Sequence, residues 1–210
     1  MLFSRRQSGP VSVEAALPGR KTPIATSSHH HVHGRPITPP WPEGHELLVL
    51  GMGCFWGAER LFWSLDGVWT TFVGYAGGIT PNPTYREVCT GLTGHAEIAG
   101  VVYDPEVADL ETLFAVFWEN HDPTQGDRQG NDIGPQYRSI VLTTTEQQRE
   151  VATASLHRYQ ERLAEVGIDA PITTTIAPLG EVYWAEPEHQ QYLSKHPGGY
   201  CNHGFCQVAY

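Results

Sequence analysis

The sequence predicts an α+β protein. The expected form is a two-layer sandwich with a ferredoxin-like βαββαβ core, a mostly antiparallel sheet and an irregular Gly-rich C-terminal tail. Three observations predict it. From Glu46 onward the pattern runs strand, helix, strand, strand, helix, strand. The strand candidates are short and rich in β-branched and aromatic residues, whereas the helix candidates repeat apolar residues at i, i+3, i+4 and i+7. No internal repeat and no apolar run of about 20 residues competes with that reading.

Residues 1–45 read as a disordered extension, because Pro10, Pro18, Pro23, Pro36, Pro39, Pro40 and Pro42 punctuate it and no apolar period survives between them. Inside it, His29-His30-His31-Val32-His33 offers imidazoles to a transition metal, but without cysteine or carboxylate partners at a recognised spacing. A solvated tail is the expectation. The folded domain is expected over 46–196. Leu47 to Leu50 reads as a buried strand that Gly51 and Gly53 break before a helical pattern resumes at Ala58-Glu59-Arg60-Leu61-Phe62-Trp63. Val68 to Val73 is a second strand, ending at Gly74-Tyr75-Ala76-Gly77-Gly78. After the loop Pro81-Asn82-Pro83-Thr84-Tyr85, a third strand over Glu97 to Tyr103 sets Glu97, Ala99, Val101 and Tyr103 on one face. Leu110, Leu113, Phe114, Phe117 and Trp118 form a helical stripe, with Asp109 as N-cap. Arg138 to Thr143 is the next strand. Thr144-x-x-Gln147 reads as a capping box opening a helix to Val166, with the stripe Ala152, Leu156, Tyr159, Leu163 and Val166. Thr173 to Ala177 reads as a strand and Pro187 to Lys195 as a short helix. From 197 to 210 the chain is Gly-rich and aperiodic, a mobile tail.

Composition narrows the function. The 210 residues are 40% hydrophobic and 17% charged, ordinary for a soluble domain. Thirteen Lys and Arg against 23 Asp and Glu give a net charge of -10, which argues against a nucleic-acid or anionic-membrane binder. Arg5-Arg6 is followed by no apolar stretch, so no secretory signal is read. Four cysteines in a chain of this length suit a reducing compartment, hence the cytoplasm, better than a disulfide-stapled secreted fold.

The chemistry concentrates around Gly53-Cys54-Phe55-Trp56-Gly57. A cysteine at a strand-to-helix turn meets unpaired amides and the positive end of the helix dipole, which favour thiolate. Phe55 and Trp56 offer a substrate an apolar wall. The bland alternative is a buried cysteine acting as a small hydrophobe. Cys89 has no helix start or second cysteine near it and reads as structural. Cys201 and Cys206, in His196-Pro197-Gly198-Gly199-Tyr200-Cys201-Asn202-His203-Gly204-Phe205-Cys206, could swing onto a sulfenic acid at Cys54 and resolve it as a disulfide. A zinc knuckle from Cys201, His203 and Cys206 would supply three ligands in cramped spacing, so the redox reading is favoured and no metal is expected. Glu97, if buried, would hold its proton to higher pH and serve as an acid; the alternative is an exposed strand-end carboxylate. Asp132 and Tyr137 lie in a turn-rich segment of the kind that often carries sites, or are a turn former and a strand aromatic.

These pieces together resemble the peptide-methionine (S)-S-oxide reductases, the A-type methionine sulfoxide reductases. The resemblance runs from about Leu48 to Tyr200. It rests on Gly53 to Gly57, Gly74 to Gly78, Pro81 to Tyr85, Gly94-His95-Ala96-Glu97, Phe117-Trp118-Glu119-Asn120-His121-Asp122-Pro123, Gly130-Asn131-Asp132, Gln136-Tyr137-Arg138-Ser139 and His189-Gln190-Gln191-Tyr192. It implies that Cys54 attacks the sulfoxide sulfur and becomes a sulfenic acid. Glu97 would protonate the oxygen with help from Tyr85 and Tyr137, and Asp132 would help to organise the site. Phe55 and Trp56 would hold the substrate methyl, and Cys201, then Cys206, would resolve the sulfenic acid. The implied substrates are the S epimer of methionine sulfoxide, free or in oxidised proteins and peptides. The implied reductant is an external thiol, thioredoxin or a dithiol, with no bound cofactor, and a monomer is expected. In members with a third redox cysteine, that residue often lies further along the tail than Cys206, and the extension matches no part of the family core.

Two other classes compete. A cysteine-histidine acyl-transfer hydrolase would pair Cys54 with His95, His121 or His189, but it has no use for tail thiols. A metal-binding module would use the histidine run and the Cys/His tail, and elemental analysis would reveal it.

Overall fold

The computed structural model describes residues 11–201, 203, 204, 206 and 208–210. In chain order the elements are β1 (Glu46–Met52), α1 (Phe55–Phe62), β2 (Val68–Ala76), α2 (Tyr85–Val88), β3 (Ala96–Tyr103), α3 (Leu110–Glu119), β4 (Arg128–Gln129) and β5 (Asp132–Ile133). A 3-10 turn (Pro135–Tyr137), β6 (Ser139–Thr143), α4 (Glu146–Glu165), β7 (Thr175–Pro178), β8 (Val182–Trp184) and α5 (Tyr192–Lys195) follow. One six-stranded sheet runs β7-β6-β1-β3-β2-β8, and β4 pairs with β5 apart from it. Its pairings are antiparallel except that of β6 with β7. The architecture is therefore mixed α+β with a mostly antiparallel sheet, as the sequence predicts.

Both faces of the sheet are covered, and this explains why every residue of β3 is buried. On one face Leu48, Leu50, Ala99, Val101 and Tyr103 pack under Phe62 of α1, Leu113, Phe117 and Trp118 of α3, and Tyr159 of α4. On the other, Val49, Phe72, Ile98, Val102, Ile140 and Leu142 pack against Ile37, Trp41 and Trp184. The helices sit on the first face and the N-terminal segment helps to close the second.

Over residues 11–45 that second cover corrects the reading of the extension as disordered; residues 1–10 of it lie outside the described residues. Residues 11–45 form no strand or helix, yet they are bonded along the domain. Ile37 is 0% exposed, and Trp184 Nε1 donates to its carbonyl at 3.2 Å. Thr80 Oγ1 donates to Leu17 O at 2.8 Å, and Arg20 pairs with Glu87 at 2.7 Å. His30 is buried too. Its Nε2–H donates to Thr71 Oγ1 at 3.0 Å, Thr71 in turn donates to Glu59 Oε1 at 3.0 Å, and His30 Nδ1 accepts from the amides of Val32 and His33. The histidine run is thus not a solvated tail. Apolar periodicity misses a segment that docks through single side chains and backbone bonds rather than through one stripe.

Smaller differences concern ends. The cap of α4 is Thr145, one residue later than expected, with its side chain accepting from Gln148 N; Gln148 Oε1 meanwhile accepts from Thr144 N at 2.8 Å. Val166, expected on the buried stripe, is 56% exposed just past the helix end. The C-terminal helix is only Tyr192–Lys195, and β8 was not expected. The last residues return to the helices: Cys206 N donates to Glu119 O at 2.7 Å, and Val208 is buried in the main core. Among the described residues no helix is long and apolar enough to cross a membrane.

Candidate active site

Gly53 holds φ +101°, a conformation that favours glycine, and turns the chain from β1 into α1. The next residue, Cys54, is the N-cap of α1 and is 5% exposed. The helix amides of Trp56 and Gly57 reach its sulfur and favour the thiolate. Burial pushes the thiol up, and the nearby Glu97 adds to it, so the group sits well above its ordinary value. The resting sulfur is therefore a thiol: the helix start favours thiolate as the sequence suggests, but burial outweighs it.

Glu97 is 1% exposed at the N-terminal end of β3, opposite Tyr75 of β2. Its Oε2 accepts from Phe55 N at 3.1 Å, the amide next to Cys54. Its other oxygen, Oε1, is buried without a partner. Burial raises its pKa to about 8, against the pull of the Phe55 amide. Near neutral pH it keeps its proton, and the exposed strand-end alternative is excluded.

Tyr85 opens α2, where Thr84 and Glu87 form a reciprocal capping box. Glu186 Oε1 accepts from Tyr85 N at 2.8 Å, and its Oε2 accepts from the hydroxyl of buried Tyr75 at 2.8 Å. Tyr137 ends the 3-10 turn. Arg138 behind it donates to the carbonyls of Pro135, Gly77 and Gly94, joining three loops around the site. Burial, and then the proximity of Glu97, raises both phenols, so they remain hydrogen-bond donors. Asp132 accepts from Tyr200 Oη at 3.1 and 3.2 Å.

The aromatic wall has more members than the sequence reading named. Phe55 is buried and lies 5.9 Å from Tyr75 and 6.1 Å from Tyr85. Half-buried Trp56 stacks on Tyr192 at 4.0 Å and donates its indole N–H to His189 Nδ1 at 3.2 Å. His189 also packs on Tyr85 at 4.4 Å. Gln190, fully buried, bonds both backbone groups of Val73 and so fixes this wall to β2. The sequence reading names His189 only as a partner of Cys54 in the hydrolase alternative, and it does not name Tyr192, Glu186 or Tyr75 as site residues. His189 to Tyr192 does stand in a polar run that resembles the family, and that was the available signal.

The cysteines separate clearly. Cys201 Sγ accepts from the Arg60 guanidinium at 3.1 Å, beside the first turns of α1. Cys206 lies apart, within 3.0 Å of Tyr159 Oη. Cys89 caps the end of α2 and shares a hydrogen bond with Tyr85. Both ring nitrogens of His95 and of His121 are engaged with other groups, which leaves neither to pair with Cys54 as the hydrolase reading asks, and His189 Nδ1 accepts from the Trp56 indole. Among the described residues no group of three or more His, Cys, Asp or Glu is placed to hold a metal.

Fold and site define a class: a mixed α+β enzyme built on a buried cysteine facing a proton-bearing carboxyl inside an aromatic wall. The sequence model of peptide methionine sulfoxide reductases matches residues 46–208. A peptide methionine sulfoxide reductase MsrA of Brucella anthropi is 58% identical over 197 residues, 94% of this chain and 90% of that protein. The structure of methionine sulfoxide reductase A of Corynebacterium diphtheriae superposes with a TM-score of 0.85 at 47% identity, covering 95% of this chain and 99% of that one. Mxr1 of Saccharomyces cerevisiae in reduced form gives 0.70 at 34% identity over 81% and 93% of the two chains. Mxr1 has also been solved in complex with Trx2, at 23% identity, a likeness that carries the fold alone. The chain belongs to the peptide methionine sulfoxide reductase family and is an oxidoreductase that reduces methionine sulfoxide.

Proposed function

We propose that this enzyme reduces the S epimer of methionine sulfoxide, free or in peptides and proteins, through a sulfenic acid at Cys54. The observation that carries the reading is Glu97: a buried carboxyl, protonated near neutral pH, tied to the amide beside the Cys54 sulfur. A sulfoxide oxygen leaves sulfur only as it gains a proton or strong hydrogen bonds. Glu97 supplies the proton, while Tyr85 and Tyr137 donate to the same oxygen. Cys54 attacks the substrate sulfur as its thiol proton is lost, the Trp56 and Gly57 amides hold the developing charge, and the released proton replaces the one Glu97 has given to the oxygen. The oxygen passes to Cys54, the substrate sulfur is reduced by two electrons to the thioether, and the cysteine is oxidised by the same two. Phe55 and Trp56 seat the methyl group, so only one epimer presents its oxygen to Glu97.

Cys201 then resolves the sulfenic acid, and an external dithiol, thioredoxin in the cell, restores the enzyme. Mxr1, 34% identical in its reduced form, has been solved with Trx2, and that is the analogy behind this partner. Cys206 joins recycling only by leaving Tyr159. We also read the strand order β6-β1-β3-β2 with α1 and α3 as a ferredoxin-like core, and the protein as a cytoplasmic monomer. The test is thiol-dependent turnover on separated epimers. The S epimer alone should react, and Cys54→Ser should abolish turnover in a folded protein; equal rates on both epimers would overturn the pocket assignment.

A further inference from the structure

Three contacts seat the residues around Cys201. Tyr200 Oη reaches Asp132, Arg60 donates to Cys201 Sγ at 3.1 Å, and His203 Nε2–H donates to Met52 O at 2.7 Å. Met52 ends β1, two residues before Cys54. The His203 ring lies in a notch on the first turn of α1 that exists because residue 57 is glycine. A Cβ there would come within 2.2 Å of His203 Nδ1 and 2.9 Å of Cys201 Sγ. One missing side chain therefore makes room for both the imidazole and the sulfur, directly over the helix start that Cys54 caps.

We propose that His203 is the positioning residue of the resolving step: through its bond to Met52 O it seats Cys201 in the Gly57 notch, poised to meet the oxidised Cys54. The inference rests on the functional reading above and deepens it, since the family match assigns His203 no role and the sequence offers it only as a ligand of the disfavoured zinc knuckle. In the step it serves, the S–O bond of the Cys54 sulfenic acid breaks and an S–S bond to Cys201 forms. The Cys201 thiol proton and the sulfenic hydroxyl leave as water. The Cys201 sulfur is oxidised as Cys54 falls from the sulfenic to the disulfide level, so no further reductant or oxidant enters. Burial lowers the His203 imidazole to about 4, so it stays neutral near pH 7 and keeps a single N–H, the one directed at Met52.

The experiment separates the two half-reactions. Full-length wild type, His203→Ala and His203→Gln are mixed with one equivalent of the S epimer without reductant. Methionine formation is followed by quenched flow, and the sulfenic acid by trapping with a dimedone probe. Methionine should form at the same rate in all three. Disulfide formation should slow about tenfold in His203→Ala, the worth of one lost hydrogen bond, with a correspondingly longer-lived trappable sulfenic acid. His203→Gln, whose amide can still donate to Met52 O, should recover most of that loss. Disulfide formation at the wild-type rate in His203→Ala would overturn the proposal, as would a glutamine variant no faster than the alanine one. Wild type that forms no methionine would instead refute the functional reading.

Discussion

At Glu97 burial has two opposing consequences, one for chemistry and one for stability. With its pKa raised to about 8, the carboxyl is a proton donor at neutral pH and loses that role as pH climbs through 8. The methionine-forming step should therefore fall above pH 8. In Glu97→Gln it should be slower by about two to four orders of magnitude and lack that fall, as single-turnover rates across pH would reveal. The same shift acts on folding. The unfolded chain loses this proton near 4.5 and the folded one near 8, so between those values the native state binds more protons and stability declines with rising pH. Each pH unit in that window contributes about 1.4 kcal/mol for a group fully so shifted. Glu59, raised by burial to about 7, adds a second such slope from 4.5 to 7. Urea denaturation at pH 5 and pH 8 should show Glu97→Gln losing less stability than wild type over that interval; an equal loss would mean that Glu97 is not the buried acid described.

Among the elements, the helix ends place the chemistry. The turn at Gly53 makes Cys54 a cap, and the capping box of α2 with Glu186 aims Tyr85. The start of α4 shows how closely a sequence pattern can approach a cap and still miss it. Thr144 and Thr145 are adjacent, Gln147 and Gln148 likewise, and only the docked helix selects Thr145 with Gln148. Thr145→Ala should cost about 1 kcal/mol in chemical denaturation. A loss confined to Thr144→Ala would restore the earlier register.

For the whole molecule, the N-terminal segment is part of the core rather than an appendage. Ile37 packs with Phe72 and Trp184 on the face of the sheet away from the helices. Ile37→Ala should destabilise the entire domain by about 2–5 kcal/mol in one cooperative transition. Were the segment loosely attached, unfolding midpoints would not move. With both faces covered, every residue of β3 is buried, so Glu97 is held away from water and its raised pKa is a property of the sheet.

The sequence by itself determined the alternation of strands and helices, the address of Cys54 and the polar residues that answer it, because these follow from local periodicity, glycine placement and residue chemistry. It could name Glu97 but not choose between buried acid and exposed strand end, since parity along a strand says nothing about what covers its end. Only the tertiary structure made that choice, by setting the Phe55 amide on the carboxyl and pairing the Tyr75 strand beside it. It likewise decided that the resting Cys54 is a thiol, because desolvation depends on neighbours far apart in sequence. His189 and Glu186 join the site through contacts spanning more than 100 residues, and no local pattern encodes distances of that kind.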